Sequence, residues 1–250
     1  MTSIINPFLA PATRKRVSPA PEGREVTQWA KLPACPASAS PVPHLTSLYH
    51  IDDEGEYGRR NYAGNCGGSL IRDLLIFFRP RLVLDPMSGS GTCSEVCQEL
   101  SIDCRSGDIH TGFDATSLNA MRTLAPEGAD CVWAHPPYWR QKLYASDSRD
   151  LSRTRTLSEF CSRYAEFIHA AKSVLKPGGR LVILMGDYHD REAGFVPLVY
   201  HTKRLAFEAG LGQYHCDIIR FSHGTTSSRK VYPSAIIPQL HDVCLIFQKR

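Results

Sequence analysis

The sequence predicts an α/β fold with a mostly parallel sheet, helices on both faces and an antiparallel hairpin at its C-terminal end. Three observations carry this prediction. First, the apolar run Leu82-Val83-Leu84 ends in Asp85-Pro86-Met87-Ser88-Gly89-Ser90-Gly91-Thr92, which reads as a strand, a glycine turn and a helix start. Second, Cys131-Val132-Trp133-Ala134 reads as a buried strand that delivers His135-Pro136-Pro137-Tyr138-Trp139. Third, a long helical pattern from Thr156 to Leu175 runs through Lys176-Pro177-Gly178-Gly179-Arg180 into the apolar strand Leu181 to Met185. Helices alternating with short apolar strands imply parallel pairing, and open α/β sheets of this kind bind ligands at the carboxyl ends of their strands.

Composition allows such a fold and excludes others. The chain has 250 residues, 42% hydrophobic and 22% charged, with a net charge of +4, as expected of a globular protein with one large domain. No apolar run approaches the roughly 20 residues of a membrane span, and the N-terminus lacks the apolar core of a signal peptide. The nine cysteines include no C-x-x-C pair, so neither a zinc site nor a disulfide set is expected. Reduced, buried cysteines in a cytoplasmic protein are. The mild basic excess is compatible with nucleic acid.

Residues 1–45 are punctuated by Pro7, Pro11, Pro19, Pro21, Pro33, Pro36, Pro41 and Pro43. They read as an extended or disordered arm with a small basic cluster at Arg14, Lys15 and Arg16, and with Trp29 able to dock. The folded domain is expected over 46–250. Within it, Tyr57 to Gly68 is a glycine-rich loop leading into an amphipathic helix, Ser69 to about Phe78, that Pro80 ends. After strand 82–85 and its loop come a helix from Thr92 to about Leu100 and a strand from Ile102 to Gly107 with Asp108 at its tip. An acid about 20 residues beyond a glycine loop is placed to accept from ribose hydroxyls. Ser117 to Ala125 suits a short helix. Residues 139–155 show no period and read as a long loop over the site, in which Arg140, Lys142, Arg149, Arg153 and Arg155 suit a phosphate backbone. Thr156-Leu157-Ser158-Glu159 is a capping box. A helix from about Val196 to Ala209 precedes strands Tyr214 to Phe221 and Asp242 to Phe247, whose connection carries Arg229 and Lys230 as further phosphate contacts.

The segments DPMSGSGT (Asp85 to Thr92) and HPPY (His135 to Tyr138) together resemble the amino-methyltransferases that act on DNA bases, over residues from about Tyr57 to the C-terminus. Those enzymes carry a D-P-F-x-G-S-G-T loop for S-adenosylmethionine and a (D/N/S)-P-P-(Y/F) loop for the target amine. The resemblance implies a Rossmann-like class I methyltransferase with a seven-stranded sheet. It implies S-adenosylmethionine held by Asp85, Pro86, Ser88, Gly89, Ser90, Gly91 and Thr92, with Asp108 on the ribose, Asp114 beside the adenine and Asn65 near the methionine end at the helix N-terminus. Only six residues separate Asp108 from Asp114, which leaves almost no room for the helix that normally lies between such acids. The implied activity is site-specific methylation of DNA at N4 of cytosine or N6 of adenine, of the restriction–modification kind and without a metal. With no large insertion for target recognition, either specificity is short or the protein dimerises on DNA.

His135, Pro136, Pro137 and Tyr138 are then the catalytic set. The exocyclic amine of a base is a poor nucleophile because its lone pair is conjugated with the ring. Acceptors for its two N–H groups, supplied by position 135 and the Pro136 carbonyl, would free that lone pair. Tyr138 would offer a face to the flipped base. The family places Asp, Asn or Ser where this chain has His135. A neutral imidazole still offers one acceptor nitrogen, so activity is expected to fall below about pH 6. An RNA or tRNA base-amine methyltransferase, a protein-glutamine methyltransferase and an inactive DNA-binding relative are the alternatives.

Overall fold

The computed structural model describes residues 33–51, 55–221 and 235–250. The basic cluster at 14–16, Trp29, Arg229 and Lys230 lie outside the described residues. Cys35–Arg250 forms one compact unit.

Among the described residues its sheet holds eight strands. Seven lie in the order β3 (Asp103–Ser106), β2 (Leu82–Asp85), β4 (Ala129–Ala134), β5 (Leu175–Met185), β10 (His241–Gln248), β9 (Ile218–Phe221) and β1 (Leu48–Tyr49). The short β8 (Gly212–Gln213) pairs with β10 off this path. Neighbours from β3 to β5 are parallel, β10 runs against β5, β8 and β9, and β1 returns parallel to β9. This is the mostly parallel sheet with a C-terminal antiparallel pair that the sequence predicts, and β1 and β8 are two strands that the residue pattern did not show. At the opposite edge the described sheet ends with β3, because a single 3-10 turn, Ile109–Thr111, links the β3 tip to the loop holding Asp114.

The apolar strand runs are buried on both faces, and their alternation sorts the core into two layers. Leu84, Val132, Ile183 and Leu245 face α3 (Leu118–Leu124), α4 (Leu157–Val174) and α5 (Leu198–Glu208). Val83, Cys131, Trp133 and Leu184 face α1 (Ser69–Phe78) and α2 (Thr92–Glu99). Helix α1 ends as Pro80 demands, with Arg79 in the left-handed region at φ 51° and its N–H donating to the Leu75 carbonyl. Helix α4 starts at its capping box: the Glu159 N–H donates to Thr156 Oγ1 at 3.1 Å, and the Glu159 carboxylate accepts from the Arg155 N–H at 2.8 Å.

Three local expectations are corrected. The strand predicted over 214–221 begins only at Ile218, because Gln213 turns its amide onto the His215 carbonyl and Asp217 and Lys203 holds Asp217 at 2.6 Å. Lys176 to Gly179 is an irregularity within β5 rather than a turn before it: pairing with β4 jumps from Ala129↔Leu175 to Cys131↔Arg180. A small two-stranded sheet, β6 (Tyr188–Asp190) with β7 (Gly194–Val196), fills the stretch before α5.

Asp130 fastens the start of β2 to this irregularity. Its Oδ2 accepts from the Arg81 and Leu82 N–H groups, both at 2.9 Å, and its Oδ1 accepts from Lys176 Nζ at 3.0 Å. Burial alone would raise its pKa, but the amides and Lys176 outweigh this and hold it below the usual carboxylate range. Asp130→Ala strands these donors and is expected to cost about 1–3 kcal/mol, read as a lower urea midpoint at unchanged slope. An unchanged midpoint would mean that water replaces the carboxylate.

Candidate functional site

Because β2, β3 and β4 are adjacent and parallel, their carboxyl ends open on one edge of the sheet. There they frame a cleft of about 830 Å³. Residues of the loop before α1, the glycine loop, the β3 tip, the Asp114 turn and the start of the HPPY loop all line it.

The glycine loop is held by its own backbone. Ser88 N–H donates to the Gly107 carbonyl, Gly107 N–H to the Asp85 carbonyl, and Gly91 N–H to the Ser88 carbonyl, at 2.8–3.0 Å. Gly91 needs to be glycine for its φ of 89° alone, since a Cβ there would meet nothing. Gly89 needs it twice: its φ is 51°, and a Cβ would sit 2.7 Å from the Tyr62 ring. The Tyr62 ring therefore lies over the loop, beside Tyr144 at 6.2 Å between centroids.

Each acid of the cleft has a different occupation. Asp108 is nearly buried. Its Oδ2 accepts from the Gly89 N–H at 2.8 Å, and its Oδ1 meets the N–H and Nδ1 of His110 at 2.9 and 2.7 Å. It thus ties the β3 tip to the glycine loop. Asp114 commits Oδ1 to the N–H and hydroxyl of Thr116, at 3.0 and 2.7 Å. Asp85 is buried at 3% exposure, and its Oδ1 has no hydrogen-bond partner among the described residues. Burial pushes its pKa well above the ordinary carboxylate value, as an unpaired buried carboxylate requires. Asn65 is engaged at both ends of its amide: Oδ1 accepts from the Gly67 N–H and Thr92 hydroxyl at 2.8 and 3.2 Å, and Nδ2 donates one hydrogen to the Tyr57 carbonyl at 3.0 Å. It joins the loop before α1 to the start of α2.

The HPPY loop divides its residues between two spaces. His135 and Pro137 line the first cleft. Tyr138 instead lines a second, open hollow of about 1410 Å³ together with Asp187, Tyr188, Phe195, Ile237 and Asp242. Pro136 is buried beneath them. A polar chain runs behind the loop. His135 Nε2 lies 3.1 Å from the Tyr138 hydroxyl, and that hydroxyl lies 3.1 Å from Asp242 Oδ1. Arg220 donates to Asp242 Oδ2 at 2.8 Å and to the Cys66 carbonyl at 3.1 Å. Arg220 is 7% exposed. Burial opposes its charge, and Asp242 more than offsets this, so it stays protonated. Burial and the Asp242 carboxylate together keep the Tyr138 phenol neutral.

His135 thus differs from its sequence expectation. Its Nε2 faces the Tyr138 hydroxyl, and the ring also bonds the Gly64 backbone. Burial lowers its pKa to about 4, with Asp242 opposing and Arg220 assisting the shift. The ring therefore stays neutral well below the value of about pH 6 at which the sequence leads one to expect it to gain a proton.

The fold engages the cations of the 139–155 loop to different extents. Arg140 is bidentate on Asp190 at 2.7 and 3.0 Å, also meets Glu192 at 2.7 Å, and lies over the Trp139 ring. Arg149 is held by Asp147 at 2.6 Å, and Arg153 donates to the Ala145 carbonyl. Lys142 and Arg155 are exposed, and neither is ion-paired with a described residue. The loop is fastened rather than loose: Trp139 is buried with its Nε1 donating to the Thr154 carbonyl at 3.1 Å, and Asp150 and Ser152 are buried.

Sequence reading missed Tyr62, Tyr144, Arg220 and Asp242. Arg220 and Asp242 had one available signal: they are opposite charges in direct register across β9 and β10. Tyr62 had none beyond the glycines around it, and Tyr144 had none.

No family model matches the chain, and no curated protein sequence does. Three solved structures show its similarities. TTHA0409 of Thermus thermophilus, described as a candidate DNA modification methylase and complexed with S-adenosyl-L-methionine, is 19% identical over 67% of this chain and 55% of its own, with a TM-score of 0.40. TrmN from Thermus thermophilus is 19% identical over 72% of this chain and 48% of its own, at 0.39. A methyltransferase from Pyrococcus furiosus is 16% identical over 78% of this chain and 88% of its own, at 0.45. The chain thus spans about half the length of the first two. Likeness at these values carries no weight beyond the sheet order already described.

The low pKa of His135 has a consequence for stability. On acidification the unfolded chain takes up the proton near pH 6.5, before the folded site does near 4. The stability linked to neutral His135 is complete above about 6.5 and is lost as the pH falls toward 4. Urea unfolding at pH 7.5 and 4.5 is expected to show a loss in the unmodified protein exceeding that of His135→Asn by about 1–3 kcal/mol. Parallel losses would place His135 in contact with solvent.

Proposed function

We propose that this protein transfers a methyl group from S-adenosylmethionine to the exocyclic amine of a nucleic-acid base, with DNA as the substrate. The observation that carries this reading is the meeting of DPMSGSGT and HPPY at adjoining strand tips, with Pro137 facing one cavity and Tyr138 the next.

The first cleft fits the donor. It holds a buried acid with an orphaned oxygen, Asp85 Oδ1, which suits a cationic N–H donor. Its turn has backbone in the left-handed region at Gly89 and Gly91, and Asp108 and Asp114 also line it. Asp85, the glycine loop, Asp108 and Asp114 would hold the molecule, while Tyr62 and Tyr144 exclude water from it. When bound, S-adenosylmethionine supplies an electrophilic sulfonium methyl group.

The chain's own contribution to transfer is orientation. Pro136 and Pro137 fix φ and bring no competing N–H, so the Pro136 carbonyl is a rigid acceptor for an amine N–H. His135 is neutral at physiological pH, so it adds no positive charge against the incoming amine. Tyr138, anchored through its hydroxyl to Asp242, presents its ring to the second hollow, where a base taken out of its stack would lie. No side chain has to remove a proton before attack. Positioning carries the rate.

Two measurements test this reading. Asp85→Asn should leave the melting temperature of the free protein unchanged or raised, since an unpaired carboxyl is replaced, yet weaken S-adenosylmethionine binding at least about 10-fold. Unchanged binding would remove Asp85 from the donor site. Radiolabelled donor incubated with mixed DNA and RNA, followed by digestion to nucleosides, is expected to give N4-methylcytosine or N6-methyladenine from DNA. Label confined to RNA or protein would overturn the substrate. Binding without incorporation would overturn the activity.

A further inference from the structure

Helix α2 places Cys93 and Cys97 four residues apart on its buried face, and Cys104 projects from β3 beside them. The three sulfur atoms lie within 4.8 Å of one another. Cys93 and Cys97 are almost fully buried, and Cys104 is half-buried with the Ser94 hydroxyl 3.7 Å from its sulfur. Packing alone does not demand this arrangement. Cys66, Cys131 and Cys244 are equally buried in the same layer, yet they are outside the cluster, which is the one such group of potential ligands among the described residues.

We propose that Cys93, Cys97 and Cys104 form a three-coordinate site for a soft monovalent metal ion of the copper(I) class. Three thiolates bonded at about 2.3 Å to a central ion stand about 4 Å apart, so the sulfurs need to close by less than about 1 Å. No carboxylate or imidazole joins them, and purely sulfur ligation selects soft ions. A structural zinc site would need a fourth ligand. A disulfide would use two of the three sulfurs and leave the third without a role. Each thiol gives up its proton on ligation.

The site would act on the cleft through position. Cys93 follows Thr92 at the start of α2 and itself lines the cleft. Cys104 lies four residues before Asp108, whose carboxylate holds the Gly89 N–H. An ion between them would cross-link the two elements that carry the glycine loop and its acid. This reading stands apart from the identity of the methyl acceptor.

The test uses the full, reduced chain under anaerobic conditions, with Cys35→Ser and Cys216→Ser as background because both thiols are exposed. Copper(I) is delivered as its bicinchoninate complex. One ion per chain is expected to transfer from the chelator and raise the melting temperature. Cys104→Ser should weaken retention at least about 100-fold, whereas Cys161→Ser, buried in the other layer, should leave it unchanged. In the background protein, copper(I) should slow alkylation of Cys104 by iodoacetamide at least about 10-fold. That readout needs no cluster variant to fold. Equal retention by Cys104→Ser, or alkylation of Cys104 unaffected by copper, would overturn the site. Zinc(II) bound as tightly by the same three residues would overturn the three-coordinate soft-ion assignment.

Discussion

The arrangement of this molecule depends on one pairing: β2 and β4 are parallel neighbours, with Val83 opposite Cys131 and Leu84 opposite Val132. Parallel neighbours end on the same edge, so whatever follows Asp85 must face whatever follows Ala134. The glycine loop and the HPPY loop could not be moved apart without breaking the pairing that buries both strands. Asp130, one residue before Cys131, enforces the register by holding the Arg81 and Leu82 amides. A single carboxylate at the far end of the sheet thereby supports the alignment of two loops at the near end.

Much of this was legible in the sequence because it is local. An apolar run that stops at Asp85 before two glycines allows few conformations, and α1, β2 and the capping box at Thr156 fell where residue order placed them. Legibility failed where partners are distant in the chain. Nothing near His135 signals that Tyr138 is held by Asp242, 104 residues away, or that Arg220 neutralises that carboxylate. The imidazole read as an acceptor in solution, whereas burial lowers its pKa and Tyr138 occupies its Nε2. Likewise Arg140 read as a cation for phosphate, but Asp190 and Glu192, 50 and more residues on, neutralise it. Local spacing gives residue types and directions. It does not give the counter-charges that decide what those residues can do.

The Arg220–Asp242 pair shows why such distant partners matter. Removing two charges from water costs several kcal/mol per ion, and their attraction offsets this only when the remaining hydrogen-bonding groups are also matched. Here the matching is incomplete: Arg220 also meets the Cys66 carbonyl and Asp242 also accepts from Tyr138, but the buried Arg220 Nε has no partner among the described residues. The pair thus directs its remaining valences to the loop before α1 and to the HPPY loop. It connects the C-terminal hairpin to both sides of the cleft, so a shift of β9 against β10 would be felt at Tyr138 and at Cys66 together. A hydrophobic pair of similar volume could fill the space, but it could not fix the direction of a phenol.

The same matching of charge limits how a polyanion can be held. The chain carries +4 net, but much of the positive charge around the cleft is already matched by carboxylates within the fold. Arg140 and Arg149 are engaged, and what they stabilise is the 139–155 loop itself, closed further by Trp139 on Thr154 and by Asp150 on the Ala145 N–H. Among the cations of that loop, Lys142, Arg153 and Arg155 are exposed and not ion-paired with a described residue. Three such cations release few counterions, and binding through them depends only modestly on salt. A strong salt dependence of nucleic-acid binding would therefore have to originate in cations other than those of this loop, with the neutralised arginines acting as scaffold for the rim of the cleft.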